Sequence, residues 1–296
     1  MQVSNLSRAI GISFALTLSG PVIAATPAEI AMAEYDEVMA LTPKLDNGRK
    51  VYLTCVVCHG PEGWGTMDGN YPQIAGQLGT VIIKQLADTR ARNRDNPLMY
   101  PFSVPSILGG PQNIADVAAY VAQLPMTPAN SVGPGVDLEL GEQLYTDNCA
   151  KCHGRHGEGV EQDHGPLIAG QHFSYLMRQF DAIRNNRRKN ANASMVKQIE
   201  GFSQRDQVAV LDYTSRLRPP ADKVAEPGWT NPDFPQYVRS GASSVPASPQ
   251  MSYPPQVPEP PAMPPMPKPP AMRPMPEPHA MPQIPEPPAI PAMPRQ

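Results

Sequence analysis

The chain has 296 residues, of which 17% are charged and 6% aromatic, with 39 prolines and a formal net charge of −3. A nucleic-acid binder needs a strongly basic surface, so no nucleic-acid partner is expected. The length admits one to three domains, and the proline excess means that the chain is not globular throughout.

Arg8 is the one early positive charge. An apolar run from Ala9 to Leu18 follows, then Gly20-Pro21 and the small-residue stretch Val22-Ile23-Ala24-Ala25. This is the layout of a secretory signal over residues 1–25, cleaved after Ala24 or Ala25. An uncleaved anchor helix is the alternative, but the apolar run is short for a membrane span. The mature chain is expected to be soluble and outside the cytoplasm, in the periplasm.

Export usually favours disulfides. Here all four cysteines fall in two short motifs, Cys55-Val56-Val57-Cys58-His59 and Cys149-Ala150-Lys151-Cys152-His153. C-x-x-C-H is the attachment sequence of a c-type haem. Two thiols three positions apart on one helical turn can reach the two vinyl groups as thioethers. The histidine that follows then aims its imidazole at the iron. A zinc half-site and a redox-active dithiol compete for any single motif. Two copies favour haem, because a four-cysteine zinc site needs no histidine in each copy and a thioredoxin-like motif would not come twice. Two covalently bound haems c are expected, on Cys55, Cys58 and His59 and on Cys149, Cys152 and His153.

The motifs open an internal repeat. CVVCHGPEGWGTMDGNYPQIAGQ from Cys55 aligns without a gap with CAKCHGRHGEGVEQDHGPLIAGQ from Cys149. Upstream, Gly48 and Tyr52 correspond to Gly141 and Tyr145. Downstream, Ile83-Lys84-Gln85-Leu86 corresponds to Met177-Arg178-Gln179-Phe180, and the stretch from Val117 through Tyr120 to the one from Val210 through Tyr213. Each unit reads as a helix running into the motif, a Gly-rich loop, a middle helix, a ligand loop and a closing helix. IADVAAYVAQL has helical apolar spacing, and Pro125 and Pro219 stop the closing helices. The expected fold is all-α. Domain 1 spans 26–125, a linker spans 126–136, domain 2 spans 137–219, and a proline-rich tail spans 220–296.

Histidine supplies one axial position at each iron. Met99 and Met195 are the candidates for the other. They follow their motif histidines by 40 and 42 residues, and both lie between the middle and closing helices. A methionine more often fills a core gap, but the matched placement in two repeats favours ligation, which raises the potential of a haem and fills both axial sites. Met67 and Met126 lack counterparts and read as loop or linker residues, and Met177 reads as core. His156, His164 and His172 read as surface or loop histidines, with bis-histidine ligation as the alternative. Pro72 and Pro166 are either plain turn residues or the sources of carbonyls that accept a hydrogen bond from the ligand histidines.

Together the paired C-x-x-C-H-G motifs, the Pro-x-Ile-Ala-Gly-Gln segments, the Lys/Arg-Gln pair of the middle helix and the late methionines resemble the diheme cytochrome c4 family. The resemblance covers about Leu45 to Pro219. It implies two tandem class I cytochrome c domains facing each other, each wrapped around a covalent haem with propionates near the interface. It also implies His/Met ligation at both irons, Pro72 and Pro166 beside the ligand histidines, and electron delivery to terminal oxidases. The chain therefore reads as a one-electron carrier rather than an enzyme, with a redox donor and a redox acceptor as partners. The alternative is the electron-accepting subunit of a periplasmic dehydrogenase. Basic residues at Arg90, Arg92 and Arg94 and at Arg184, Arg187, Arg188 and Lys189 read as solvated helix ends, propionate partners or a docking patch.

Beyond Pro219 the chain has little to build a core, and disorder or polyproline II is expected. Residues 259–294 hold a nine-residue repeat, opened by Glu259, Lys268, Glu277 and Glu286. In polyproline II it would put methionine and isoleucine on one face and reach roughly 110 Å. It reads as a spacer or as a ridge that docks a partner or envelope component. Ile284 and Ile290 replace methionine in equivalent slots, which disfavours copper capture.

Overall fold

The computed structural model describes residues 24–234. The expected signal segment 1–25, apart from its last two residues, and the repeats at 259–294 lie outside the described residues. Among the described residues all regular structure is helical: eleven α-helices, two 3-10 turns and two isolated bridges. None of these helices is long and apolar enough to cross a membrane.

Domain 1 holds α1 (Pro27–Met39), α2 (Leu45–His59), α3 (Gly79–Arg90), the short α4 (Tyr100–Ser103) and α5 (Pro105–Leu108), and α6 (Pro111–Gln123). Domain 2 holds α7 (Leu138–Asn148), α8 (Ala150–His153), α9 (Phe173–Arg184), α10 (Ala193–Ile199) and α11 (Gln204–Arg216). In each unit the helix entering the motif crosses the closing helix at a glycine. A Cβ on Gly48 would lie 2.2 Å from the Asp116 carbonyl oxygen, and one on Gly141 would lie 2.2 Å from that of Ala209. Only hydrogen fits at these crossings. Tyr52 then packs on Tyr120 and Tyr145 on Tyr213, with ring centroids 5.3 and 5.7 Å apart.

Three features depart from the expected plan. Helix α1 precedes the first repeat unit. A capping box between Thr26 and Glu29 starts it, with proline in its first turn. It buries Ala31, Tyr35 and Val38, an i, i+4, i+7 stripe, and packs on α3 and α6. The helix entering the motif is continuous in domain 1 but breaks at Cys149 in domain 2, where φ is −113°. The segment expected as the second ligand loop is helical around Met195, which lies within α10.

The connection between the domains is packed. Met126, expected as a loop or linker residue, is buried. Asn130 donates to the Gln171 carbonyl at 3.0 Å and to the Ser215 carbonyl at 2.8 Å. The first residues assigned to the tail are packed as well. Val224 pairs with Met126 in a parallel bridge, and residues 225–234 then run back along domain 1 as a strap. Trp229 stacks near Trp64, Phe234 packs on Tyr52, and the buried Asn231 donates to the Pro61 carbonyl at 2.8 Å. These apolar side chains have a core to join, which the proline-rich composition around them did not suggest.

Candidate functional site

Each motif sits at the end of its helix. Gly60 and Gly154 stop the helices with φ of 78° and 82°. The Tyr52 and Tyr145 hydroxyls donate to the carbonyls of these glycines at 2.9 and 2.7 Å. The Gly-rich loop then turns back, with Gly65 N–H on the His59 carbonyl and Gly159 N–H on that of His153. This return brings the Pro72 carbonyl to 2.9 Å from His59 Nδ1 and the Pro166 carbonyl to 3.0 Å from His153 Nδ1.

A carbonyl only accepts, so in both rings Nδ1 carries the proton and Nε2 keeps its lone pair. Both rings are buried. Burial holds the His59 and His153 pKa values below the ordinary range, with the proline carbonyls partly opposing it and Arg188 reinforcing it at His153. Neutral imidazole is the metal-binding form. No disulfide ties up the four cysteines. Burial first, and the neighbouring cysteine second, push the Cys55 and Cys149 thiols up to about 12. Among the described residues no three His, Cys, Asp or Glu side chains converge as a metal cage.

Met99 borders the apolar cluster of domain 1 together with Cys55, and Met195 borders that of domain 2 together with Cys149. Two arginines of the basic clusters meet where the domains face each other. Arg188 donates to the side-chain oxygens of Gln179 and Gln85 at 3.0 and 3.1 Å. Arg94 reaches Tyr175 and Gln179 at 3.3 Å and also Gln85. Burial first, and Arg94 second, pull the Arg188 pKa down to about 9, with Tyr175 and then Asp88 partly opposing. Two guanidiniums served by neutral oxygens make a site suited to anionic groups such as propionates. The other basic residues separate: Arg90 is spent inside domain 1 on Glu34 and on the Ser103 and Gly109 carbonyls, Arg92 lies over Tyr100, and Arg187 and Lys189 are exposed.

The thiol pairs, the imidazoles with free Nε2 and the facing guanidiniums fit covalent haem. His172, expected as a surface or loop histidine, is instead buried at the domain boundary. Its Nε2 lies 2.7 Å from the Trp64 carbonyl, and the Ser131 N–H donates to its Nδ1 at 3.2 Å. The sequence reading also passed over Gln73, Gln77 and Gln171 as functional residues, although the repeated Ala-Gly-Gln triplets marked two of them.

The chain matches the Cytochrome c family over residues 45–125 and 138–217, more than half its length. It is 32% identical over 176 residues to cytochrome c4 of Thiocapsa roseopersicina, covering 55% of this chain and 86% of that protein. It is 28% identical over 199 residues to the thiosulfate dehydrogenase electron acceptor of Stutzerimonas stutzeri (strain A1501), covering 61% of this chain and 90% of that protein. The crystal structure of reduced recombinant cytochrome c4 from Pseudomonas stutzeri shares the fold, with a TM-score of 0.53 at 23% identity over 60% of this chain and 100% of that one.

The chain belongs to the cytochrome c family, as a diheme member of the cytochrome c4 type. It carries two covalent haems c, one per domain, and is an electron carrier.

Proposed function

We propose that this is an exported, periplasmic electron shuttle in which both irons are closed to substrate. His59 and Met99 hold one iron, and His153 and Met195 the other. Cys55 with Cys58, and Cys149 with Cys152, carry the thioether links. The supporting observation is the shared placement in both domains: each late methionine borders the same apolar cluster as the first cysteine of its own motif. Bound haem supplies the one-electron Fe(III)/Fe(II) couple. The chain orients each imidazole through its proline carbonyl, excludes water with the two clusters, and neutralises propionates with Arg94 and Arg188. A thioether ligand raises the potential.

Optical spectroscopy of the purified holoprotein tests the ligation. Two haems per chain, a ferric methionine–iron charge-transfer band and no spectral change with carbon monoxide in the reduced form are expected. Met99→Ala and Met195→Ala should each admit carbon monoxide at one haem. A carbon monoxide shift in the unaltered protein would overturn the closed-site reading.

Delivery of electrons to a membrane-bound terminal oxidase is the physiological role that the cytochrome c4 type suggests. Similarity to a thiosulfate dehydrogenase electron acceptor favours a second reading, in which the chain takes electrons from a periplasmic dehydrogenase. Mixing the reduced protein with oxidase-containing membranes, and the oxidised protein with thiosulfate dehydrogenase and thiosulfate, separates the two. Fast oxidation by the membranes supports the first role, and fast reduction by the dehydrogenase the second.

A further inference from the structure

The two Pro-x-Ile-Ala-Gly-Gln segments meet across the domain boundary, and the glutamine of each clips the backbone of the other. Gln73 N–H donates to Gln171 Oε1 at 3.0 Å, and Gln171 Nε2 donates to the Gln73 carbonyl at 2.8 Å. Leu167 N–H donates to Gln77 Oε1 at 2.9 Å, and Gln77 Nε2 donates to the Leu167 carbonyl at 2.8 Å. Residues 73 and 167 are equivalent in the repeat, as are 77 and 171. Each glutamine oxygen also accepts the amide that starts its own middle helix, from Leu78 or His172, so its orientation is fixed from behind.

The position of these clips matters. The N–H of Gln73 belongs to the same peptide unit as the Pro72 carbonyl that accepts from His59, and the N–H of Leu167 to the same unit as the Pro166 carbonyl that accepts from His153. A peptide that donates through its N–H becomes a stronger acceptor at its C=O, because successive hydrogen bonds polarise one another. A stronger acceptor on Nδ1–H makes the imidazole a more basic ligand, and a more basic ligand favours the ferric state.

We propose that Gln171 and Gln77 are positioning residues that act across the boundary: Gln171, in domain 2, lowers the potential of the haem in domain 1, and Gln77, in domain 1, lowers that of the haem in domain 2. This rests on His59 and His153 being the axial ligands. The same boundary holds a built-in control. The Gln73 side chain donates to the Gly170 carbonyl at 2.8 Å and accepts the Thr127 amide at 2.7 Å, so it joins the domains without touching either histidine-bearing peptide. Its counterpart is Leu167, which makes Gln73→Leu a tolerable change.

The test uses full-length holoprotein with Gln171→Met, Gln77→Met and Gln73→Leu. Redox titrations are followed by NMR of the haem signals, which resolves the two haems, and the histidine Nδ1–H signals are read in the reduced protein. In Gln171→Met the Fe(III)/Fe(II) ratio of the domain 1 haem at a fixed solution potential should fall about two- to fourfold. The His59 Nδ1–H signal should move upfield, with His153 and its haem unchanged. Gln77→Met should give the mirror result, and Gln73→Leu neither. Equal shifts at both haems, a shift confined to the variant's own domain, or the same shift in Gln73→Leu would overturn the proposal. Each methionine variant reads a different haem, so loss of one to misfolding leaves the other to decide. The spectrum of the unaltered protein checks the ligands independently: intact His/Met spectra with unmoved potentials sink only the cross-boundary tuning.

Discussion

His172 uses both nitrogens of one ring to join the domains. Its Nε2–H donates to Trp64 of domain 1, and its Nδ1 accepts from Ser131 of the connection. The proton therefore has one place to be, and a second proton on Nδ1 would face an N–H donor. Burial lowers the His172 pKa, with the Trp64 bond and Asp68 partly opposing. The unfolded chain takes up this proton near about 6.5, the folded one only at lower pH. Below about 6.5 the unfolded state thus binds more protons, so this part of the stability is complete above that value and falls as pH drops beneath it. Urea unfolding at about pH 7.5 and 5.5 should show the loss. His172→Leu should flatten that part of the profile and cost about 2 kcal/mol at the higher pH, by leaving a buried carbonyl and amide unpaired.

The contrast between His172 and the motif residues explains what could be read from the chain. The cysteines, His59, His153, the two prolines and the paired glycines stand out because each occurs twice at one offset. His172 aligns with Leu78 and Met126 has no counterpart, because they serve the boundary between the copies. Comparing two repeats reveals what each domain needs by itself and is blind to what only their contact needs.

At the scale of elements, the helix crossings set the geometry of both sites. Gly48→Val or Gly141→Val should cost more than about 3 kcal/mol, since a side chain there meets backbone rather than a movable group. The urea midpoint of the holoprotein reads this. Thr26→Ala should cost about 1 kcal/mol by removing one half of the capping box of α1. That helix did carry a signal: Thr26, Pro27 and Glu29 ahead of an apolar stripe at helical spacing. It went unread because it abuts the small residues expected as a cleavage site. The break at Cys149 had no comparable cue, since the two motifs are alike in pattern.

At the scale of the whole folded region, the strap makes domain 1 depend on residues that follow domain 2. Phe234→Ala should cost about 3 kcal/mol and Trp229→Ala about 2 kcal/mol, because the first is buried and the second only partly so. Hydrogen exchange should show the weakening around Tyr52 and Tyr120 and leave Tyr145 and Tyr213 protected. The strap was hidden in sequence by its surroundings. Trp229 and Phe234 are two apolar residues at the head of a long proline-rich stretch, and composition averages them away.

A chain is made from its N-terminus, so the strap also sets an order in time. Residues 45–125 emerge first, yet the side of domain 1 formed by Tyr52, Pro61 and Trp64 stays uncovered until Trp229, Asn231 and Phe234 have followed. The last helix of domain 2 ends at Arg216 and Leu217 closes its apolar cluster, both ahead of the strap. Domain 1, the first to emerge, thus gains this cover only after the residues of its younger copy have been made.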